Sequence, residues 1–575
     1  MILRDIQIHN FRGIRSLLLP LDNLTVLIGE NNSGKSTILE AIRIVLTRGY
    51  GTRRGGQFCD YDFHLSNLEA TPQTAEPIEV ILHFAENEMD EWPDAVIQQI
   101  TEVIQLDENG MNHVWLRAQG TFQPASSTFE AQWNFTNSEG NVLQLRNASI
   151  FGILSRLVPL FILSALRDAS QEFGQRGQFW GSFLKSIQLP ADQREEIERL
   201  LTEVNTSVIE ANTGLGEVTR KIADAGRYVP LDSDNPVVLE AIPTRVFDMV
   251  GKVQVHLRAN NGPKLPLHRY GEGTQSLAVL MLFQAFAAVN LVEAYTPEST
   301  PILALEEPEA HLHPSAIRSL GSLLGSMSGQ VVVTSHSGDL VSRVPVTALR
   351  RLYKQNGETR VGRIESGQFT PREIQAINYS IRLTRGHYLF SRCWLFVEGE
   401  SDFHIMPLLF EAMGFSQDQI SFSIIEISQV IEKGEPLIKF AQALGIQWFL
   451  LADGDAAGRD YVNRAMNYFV NGETATDRTK LLNHNDIEHE FWYNGYDDFI
   501  GGMVNPNEHR QITAVAAGDP VKEIKLIIKS SIKHAGGKPA FAQALADEII
   551  SRGVDTVPQT IIEVINRIVQ LAGDE

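Results

Sequence analysis

Cysteine is nearly absent. Cys59 and Cys393 stand alone in a chain of 575 residues. Two thiols make no disulfide framework, and they suit a reducing, cytoplasmic compartment. The opening residues, MILRDIQIHNF, lack the apolar core of a signal peptide. No long purely apolar run occurs either. Residues 274–292 carry no charge, but Gln275, Ser276, Gln284 and Asn290 interrupt them. This stretch reads as a buried helix and not as a membrane span. Basic residues are also short: 49 Lys and Arg face 70 Asp and Glu, a net charge of -21. Such a balance excludes a generally basic nucleic-acid-coating surface and leaves only local patches for that task. Internal repeats and low-complexity tracts are missing.

What is present is ordinary globular material. Hydrophobic residues make up 43% and charged residues 21%, enough to bury real cores in roughly three or four domains. Alternating or continuous apolar runs predict strands at 2–9, 24–28, 78–84, 113–118, 131–136 and 159–164. Ile38, Ala41, Ile42 and Val45 predict a helix over 37–47. Residues 170–250 change character. Charged, helix-favouring segments suggest either an inserted helical module for dimerisation or an enlarged subdomain of what surrounds it. Gly357, Gly362 and Gly367 lie in a polar stretch that suits a boundary, and a new strand opens at CWLFVEGESD.

Two strands end in chemistry that belongs to a nucleotide. Gly29-Glu30-Asn31-Asn32-Ser33-Gly34-Lys35-Ser36-Thr37 fits G-x-x-x-x-G-K-[ST], between a strand and a helix. Its glycines let backbone N–H groups wrap a polyphosphate at a helix N-terminus. Lys35 is expected on the outer phosphates of ATP and Ser36 on Mg²⁺, with Asn32, Gly34 and Thr37 completing the loop. Later, ILALEEPEAHLHP is an apolar strand ending in two carboxylates. Glu306 is assigned to the metal and Glu307 to the attacking water. A third strand, VVVTSHS, ends at His336, placed to meet the γ-phosphate or the water. Tyr270-Gly271-Glu272-Gly273-Thr274-Gln275-Ser276 resembles a degenerate ABC signature loop. Gly273 and Gln275 would then hold the ATP of a second protomer, which implies a dimer. Asn10-Phe11-Arg12-Gly13 looks like the start of SMC-type ATPases, where such an arginine meets phosphate; this carries over to Arg12.

The C-terminal third concentrates carboxylates. Leu395-Phe396-Val397-Glu398-Gly399-Glu400-Ser401-Asp402 delivers Glu398 at a strand end, and a helix starting after Gly399 would turn Asp402 to the same cation. A second strand delivers Asp453-Gly454-Asp455, whose alternate side chains share a face if the segment is extended. Hard oxygens of this kind suit Mg²⁺ or Mn²⁺, with Ca²⁺ also able to occupy them; zinc would want Cys/His pairs. Together the two segments resemble the Toprim fold. Lys522, Lys525, Lys529 and Lys533 form a stripe at helical spacing, which reads equally as a phosphate-tracking face or as a solvated one. Lys538 follows, a compact ammonium able to stabilise charge at a scissile phosphate.

An ABC/SMC-type ATPase followed by a Toprim domain resembles the OLD (overcoming lysogenization defect) nucleases, and is similar to the Gabija nuclease subunit and retron-associated effectors. The resemblance implies an α/β architecture. An ABC-type ATPase with a mixed sheet would occupy 1–168 and 251–365, with a helical insertion over 169–250. A Rossmann-like Toprim domain would follow over 390–575. It implies ATP-regulated, metal-dependent DNA cleavage or nicking in anti-phage defence, by a dimer or larger oligomer. The implied ligand set is Glu398, Asp402, Asp453, Asp455 and Glu488, assisted by Lys538. Glu488 lies in NDIEHE, which also reads as an exposed acidic helix start. A helicase partner would accompany a Gabija-like role and a reverse transcriptase a retron-like one. Two departures bear on hydrolysis: Glu306 replaces the usual Walker B aspartate, and His313 the usual D-loop aspartate. The competing expectation is a non-cleaving, ATP-driven DNA clamp or scaffold. A topoisomerase would need a nucleophilic tyrosine domain, and a primase a zinc motif.

Overall fold

A computed structural model describes the chain except for residues 48–57, 68, 126, 164–189, 212–213, 215–216, 218–239, 247–255, 259–262, 290–295, 311, 385, 428–433 and 574–575. Every strand expected from the apolar runs is present. β1 (Leu3–Phe11), β2 (Ile14–Pro20), β3 (Leu24–Gly29), β4 (Ile78–Ala85), β5 (Gln105–Leu106), β6 (Asn112–Gln123), β7 (Thr128–Thr136) and β8 (Leu160–Leu163) come first. β9 (His256–Arg258) and β10 (Lys264–Pro266) form a separate hairpin. β11 (Ile302–Glu306), β12 (Gln330–Thr334), β13 (Leu349–Gln355) and β14 (Glu358–Gly362) follow. β15 (Cys393–Val397), β16 (Phe422–Glu426), β17 (Gln447–Ala452) and β18 (Thr479–Leu481) complete the set.

They build three main sheets. The first is antiparallel, in the order β2-β1-β4-β6-β5 with β7 on β6. Its strands alternate; β6 reads buried at every second residue from Asn112 to Gly120. That is the mark of a sheet with one face on a core and one near solvent. The second sheet runs β14-β13-β3-β12-β11-β8, parallel from β13 to β8 with β14 as an antiparallel edge. Its central strands are buried along almost their whole length and mostly apolar, as cover on both faces requires. The helix Lys35–Thr47 packs between these two sheets through Ile38, Ile42 and Val45. Distant sequence halves thus close one sheet: β3 sits between β13 and β12.

The third sheet, β16-β15-β17-β18, is wholly parallel. Helices Glu400–Ala412, Lys538–Arg552 and Gln559–Gly573 share its outer core. On its inner side one apolar cluster runs without a break from Val26, Leu305 and Val333 to Trp394, Phe396 and Trp448. The nucleotide sheet and the C-terminal sheet are therefore packed together, not strung on a linker.

Two glycines of the stretch 357–367 have local roles. Gly357 sits in the tight turn between β13 and β14, with Asn356 at φ 52° and Gly357 at φ 76°. Gly362 ends β14 so close to Leu444 that a Cβ would lie 2.3 Å from its carbonyl.

Residues 274–292 begin as a helix, Glu272–Val289. Val279 and Leu280 reach the core, while Met281 is exposed. Among the described residues, no helix is long and apolar enough to cross a membrane. The helix Ala191–Ala211 is present with a largely exposed surface; most of the expected 169–250 module lies outside the described residues.

Candidate functional sites at two strand-end clusters

In parallel sheets ligands bind beyond the carboxyl ends of the strands. β3, β11 and β12 deliver the loop at 29–37, the pair Glu306–Glu307 and His336 to one such edge. Gly29 has φ 141°, and a Cβ there would lie 2.1 Å from the Leu352 carbonyl oxygen. Only glycine fits this start of the loop. Asn32 at φ 63° and Gly34 at φ 106° curl the backbone further. Lys35 Nζ donates to the carbonyls of Gly29 (2.8 Å) and Glu30 (2.7 Å). Burial lowers the Lys35 pKa to about 8, against the pull of Glu307 and Glu30. Ser36 Oγ donates to Glu306 Oε1, so the two expected Mg²⁺-side residues meet. Thr37 follows in the first turn of the helix.

Glu307 occupies a left-handed backbone position, φ 46°, held by N–H donation to the Thr334 carbonyl (3.0 Å). A non-glycine residue rarely takes this conformation without a functional demand. Its Oε1 is 3.6 Å from His336 Nε2. Burial, with Lys35 adding to it, lowers the His336 pKa. Glu309 was not singled out from sequence. It is half-buried, accepts from Ser335 Oγ (2.7 Å) and His336 N (2.9 Å), and has a buried Oε2 without a hydrogen-bond partner. Burial raises its pKa. It orients the turn that carries His336. The only advance signal was its place two residues after Glu307.

Three expectations read differently in the structure. Arg12 does not point free towards a phosphate: its guanidinium is held by Asp62 (2.9 Å) and Glu40 (3.7 Å). His313 caps the helix Pro314–Gly325, its Nδ1 facing Ser315. Gln275 folds its amide back onto the Tyr270 carbonyl (2.7 Å) at the helix start that holds Gly273.

The second cluster lies at the carboxyl ends of β15 and β17. Glu398 leaves β15, and its Oε2 accepts from Asp453 N (3.2 Å). The helix Glu400–Ala412 begins as expected and turns Asp402 inward, 3% exposed, with Oδ2 accepting from Gly399 N (3.2 Å). Asp453 follows β17. A Cβ on Gly458 would stand 1.9 Å from the Asp453 carbonyl oxygen, so the next helix can approach this tightly only over glycine. Glu488 is buried and accepts from Ser401 Oγ (2.6 Å); the exposed-helix reading is set aside. Lys538 opens the helix Lys538–Arg552, with Nζ 3.6 Å from Glu400 Oε2.

Burial and mutual repulsion mark these groups as one electrostatic unit. The Asp402 carboxyl is pushed up to about 7 by burial and then by Glu488. That of Asp453 is pushed up to about 9 by burial, then by Asp402 and Glu398, with Asp486 and Glu488 adding to it. Burial, with Asp486 next, raises Glu488. Asp486 is a residue that sequence reasoning missed. Hydrogen bonds from the His489 ring (2.6 Å) and backbone (2.8 Å) outweigh its burial and keep its pKa low. Asp455 departs from expectation. It is exposed, caps the helix Ala456–Ala465 through Gly458 N (2.9 Å), and is not among the groups that raise Asp453. The backbone is still extended at Asp455, but the helix that starts at the next residue takes its carboxylate as a cap.

Asp402 Oδ1 and Asp453 Oδ1 are buried without hydrogen-bond partners. Orphaned carboxylate oxygens among like charges fit a hard divalent cation. As placed, no group of three or more His, Cys, Asp or Glu side chains among the described residues encloses an ion.

A P-loop sheet joined to a parallel carboxylate-bearing sheet defines an ATPase-plus-Toprim class of protein. The profile of the family described as "Protein of unknown function (DUF2813)" matches residues 1–213 and 264–387, and the chain belongs to that family. The "Overcoming lysogenization defect protein-like, TOPRIM domain" matches 389–455. The chain is 26% identical to the uncharacterized protein YbjD of Escherichia coli, over 100% of this chain and 99% of that one. It is 25% identical to the Old nuclease of Escherichia phage P2, over 79% of this chain and 77% of that one. With the OLD nuclease of Thermus scotoductus the figures are 23%, 79% and 82%.

Proposed function

We propose that the chain is a nuclease that cuts or nicks DNA with divalent metal ions, under the control of ATP. The observation that carries the reading is the carboxylate cluster of buried Asp402 and Glu488 with half-buried Glu398 and Asp453, beside Lys538. Two of its oxygens lack partners, in a domain homologous to named nucleases. Asp402, Asp453, Glu398 and Glu488 would hold Mg²⁺ or Mn²⁺, with Ca²⁺ able to take the place. Asp486 stands beside them; Asp455 would join only by leaving its cap. Such ions lower the pKa of bound water and neutralise a phosphate. Around them, Lys538 would lie along the charge developing at the scissile phosphate. Ser401 orients Glu488, and the Gly399 N–H orients Asp402.

At the other edge, Lys35 would exchange its two carbonyls for ATP phosphates, and Ser36 and Glu306 would share Mg²⁺. Glu307 would accept the proton of the attacking water, with His336 beside it. Asn32, Gly34 and Thr37 would frame that pocket and Gly273 would serve a partner protomer's ATP; Arg12 and Gln275 would join only by leaving Asp62 and the Tyr270 carbonyl. We place the protein as a homodimer or larger homo-oligomer in the cytoplasm, acting in anti-phage defence. A helicase or a reverse transcriptase with its nucleic acid is the partner that the resemblance implies.

The test is cleavage of supercoiled plasmid with Mg²⁺ or Mn²⁺, with ATP titrated. Asp453→Ala and Glu398→Ala are expected to abolish nicking; retained nicking in both would overturn the assignment. The competing reading is a non-cleaving, ATP-driven clamp. DNA binding that depends on ATP, with no cleavage of any DNA, would establish that reading.

A further inference from the structure

A second cavity opens beside the carboxylate cluster, on the far flank of the same helix. It has a volume of about 770 Å³ and lies between the helix Glu400–Ala412, the start of Lys538–Arg552 and the edge strand β16. Its wall holds Phe403 and His404, directly after the inward-facing Asp402, and Pro539, directly after Lys538. Phe403 is 40% exposed, unusual for a ring in the first turn of a core-packed helix. The His404 ring stands edge-on to it, 5.6 Å between centroids at 78°. One carboxylate links cavity and cluster. Glu400 Oε2 is 3.6 Å from Lys538 Nζ, and Glu400 Oε1 is 3.9 Å from His404 Nε2.

The lining chemistry selects the guest. Among the described residues no Lys or Arg lines the cavity; His387, His404 and Asp418 do. Among the described residues a phosphate would find only the two imidazole rings inside, while the ammonium of Lys538 stands at the edge, paired with Glu400. The wall instead offers an exposed aromatic face and the side-chain amides of Gln417 and Gln543, the latter donating to Asp547 (3.0 Å). An uncharged flat ring with hydrogen-bonding edges matches this wall. Nucleobases stack on aromatic side chains in just this sequence-tolerant way, while the backbone follows positive charge. The proposed nuclease reading puts the strand's phosphate at Lys538, one residue from Pro539.

We infer that this cavity receives a nucleobase from the single strand of DNA whose phosphate lies at Lys538, with Phe403 as the stacking platform. The inference rests on the proposed nuclease reading and adds a base-binding subsite to it. Extruding a base costs unstacking energy, least at a mismatch or in a single strand. The subsite therefore biases the enzyme towards unpaired or distorted DNA. Asp402 and Phe403 are neighbours on one helical turn, so the platform and the metal-side carboxylate move as one body.

The test uses the full-length protein and a fluorescent single-stranded oligonucleotide in Ca²⁺, read by anisotropy. A single abasic site is stepped along the strand. The wild type is expected to bind about 10-fold more weakly when the abasic site falls at one position, the scale of one base–aromatic stack. Phe403→Ala is expected to weaken the intact strand by a similar factor and to lose the distinction between intact and abasic strands. Phe403→Trp is expected to keep the distinction, with indole fluorescence quenched on binding. The inference is overturned if the wild type ignores the abasic site at every position or binds no strand. It is equally overturned if Phe403→Ala still discriminates. Plasmid nicking tests the underlying activity separately: discrimination without nicking removes the nuclease and leaves the base site.

Discussion

Replacing Asp402 by Asn is expected to stabilise the metal-free protein while destroying metal binding. Asp402 is 3% exposed, and burial, then Glu488, pushes its carboxyl from an ordinary 3.8 to about 7. An acid with a raised folded pKa binds its proton more tightly in the native state than in the unfolded one. Stability is then lost as pH rises from the unfolded value to the folded one. The wild-type penalty is absent below about pH 4, grows up to about pH 7, and is constant above. At ~1.36 kcal/mol per pH unit, the interval from 3.8 to about 7 sets a ceiling of ~4 kcal/mol. Asn keeps an acceptor for the Gly399 N–H and no longer repels Glu488. Its new N–H groups lack partners, which costs ~1–3 kcal/mol in a buried site. A net gain of ~1–2 kcal/mol at pH 8 is the expected result, shrinking towards zero or below at pH 5. The assay is denaturant unfolding with EDTA at both pH values, repeated with Mn²⁺. The wild type should gain ~2.7 kcal/mol at 100 times the Mn²⁺ dissociation constant, and the variant far less. A variant that is no more stable at pH 8 than at pH 5, or that Mn²⁺ stabilises as much as the wild type, refutes the reasoning.

Glu307→Gln is expected to slow ATP hydrolysis by about 10²–10³-fold with little change in ATP affinity, measured by phosphate release and by titration of a fluorescent nucleotide. Burial lowers Lys35 to about 8, so the free protein loses the ammonium above that pH. ATP affinity should fall as pH rises from 8 to 9, by up to about tenfold; a flat profile in the same titration counts against Lys35 as the phosphate ligand. Arg392→Ala removes two charge-assisted bonds to Glu30 of the nucleotide loop, at 2.5 and 2.7 Å. It should loosen the junction by ~1.5–3 kcal/mol and shrink the ratio of plasmid nicking with and without ATP. Arg392→Lys is expected not to restore that ratio, because an ammonium cannot bond both oxygens in parallel.

The Arg392 pair shows what the junction does. Arg351 lies buried beneath it and donates to the carbonyls of Leu444, Gly445 and Ser391, at 3.3, 3.2 and 3.0 Å. Both arginines tie the sheet that begins the nucleotide loop to the loops that start β15 and β17. Those strands end in Glu398 and Asp453. Glu30 is thereby bonded to the residue directly before β15, and Glu398 directly follows that strand.

The sequence by itself determined the local chemistry. The G-x-x-x-x-G-K-S loop, the apolar strands and the carboxylates at their ends are short-range patterns. They depend on backbone geometry and periodicity that neighbouring residues dictate, and so Lys35, Ser36, Glu306, Glu398, Asp402 and Asp453 were legible. The same local logic failed where a side chain had two uses. Asp455 looked like a ligand but caps a helix, because the helix that starts at Ala456 brings the Gly458 N–H to its carboxylate. Arg12 looked free for phosphate, but Asp62 is brought to it from 50 residues away. Tertiary structure alone decided the rest. Asp486 joins the carboxylate cluster, Glu309 orients His336, and Glu30 meets Arg392 across 362 residues. Such pairs depend on the register in which separate sheets pack, and register is set by the summed burial of cores that no single segment encodes.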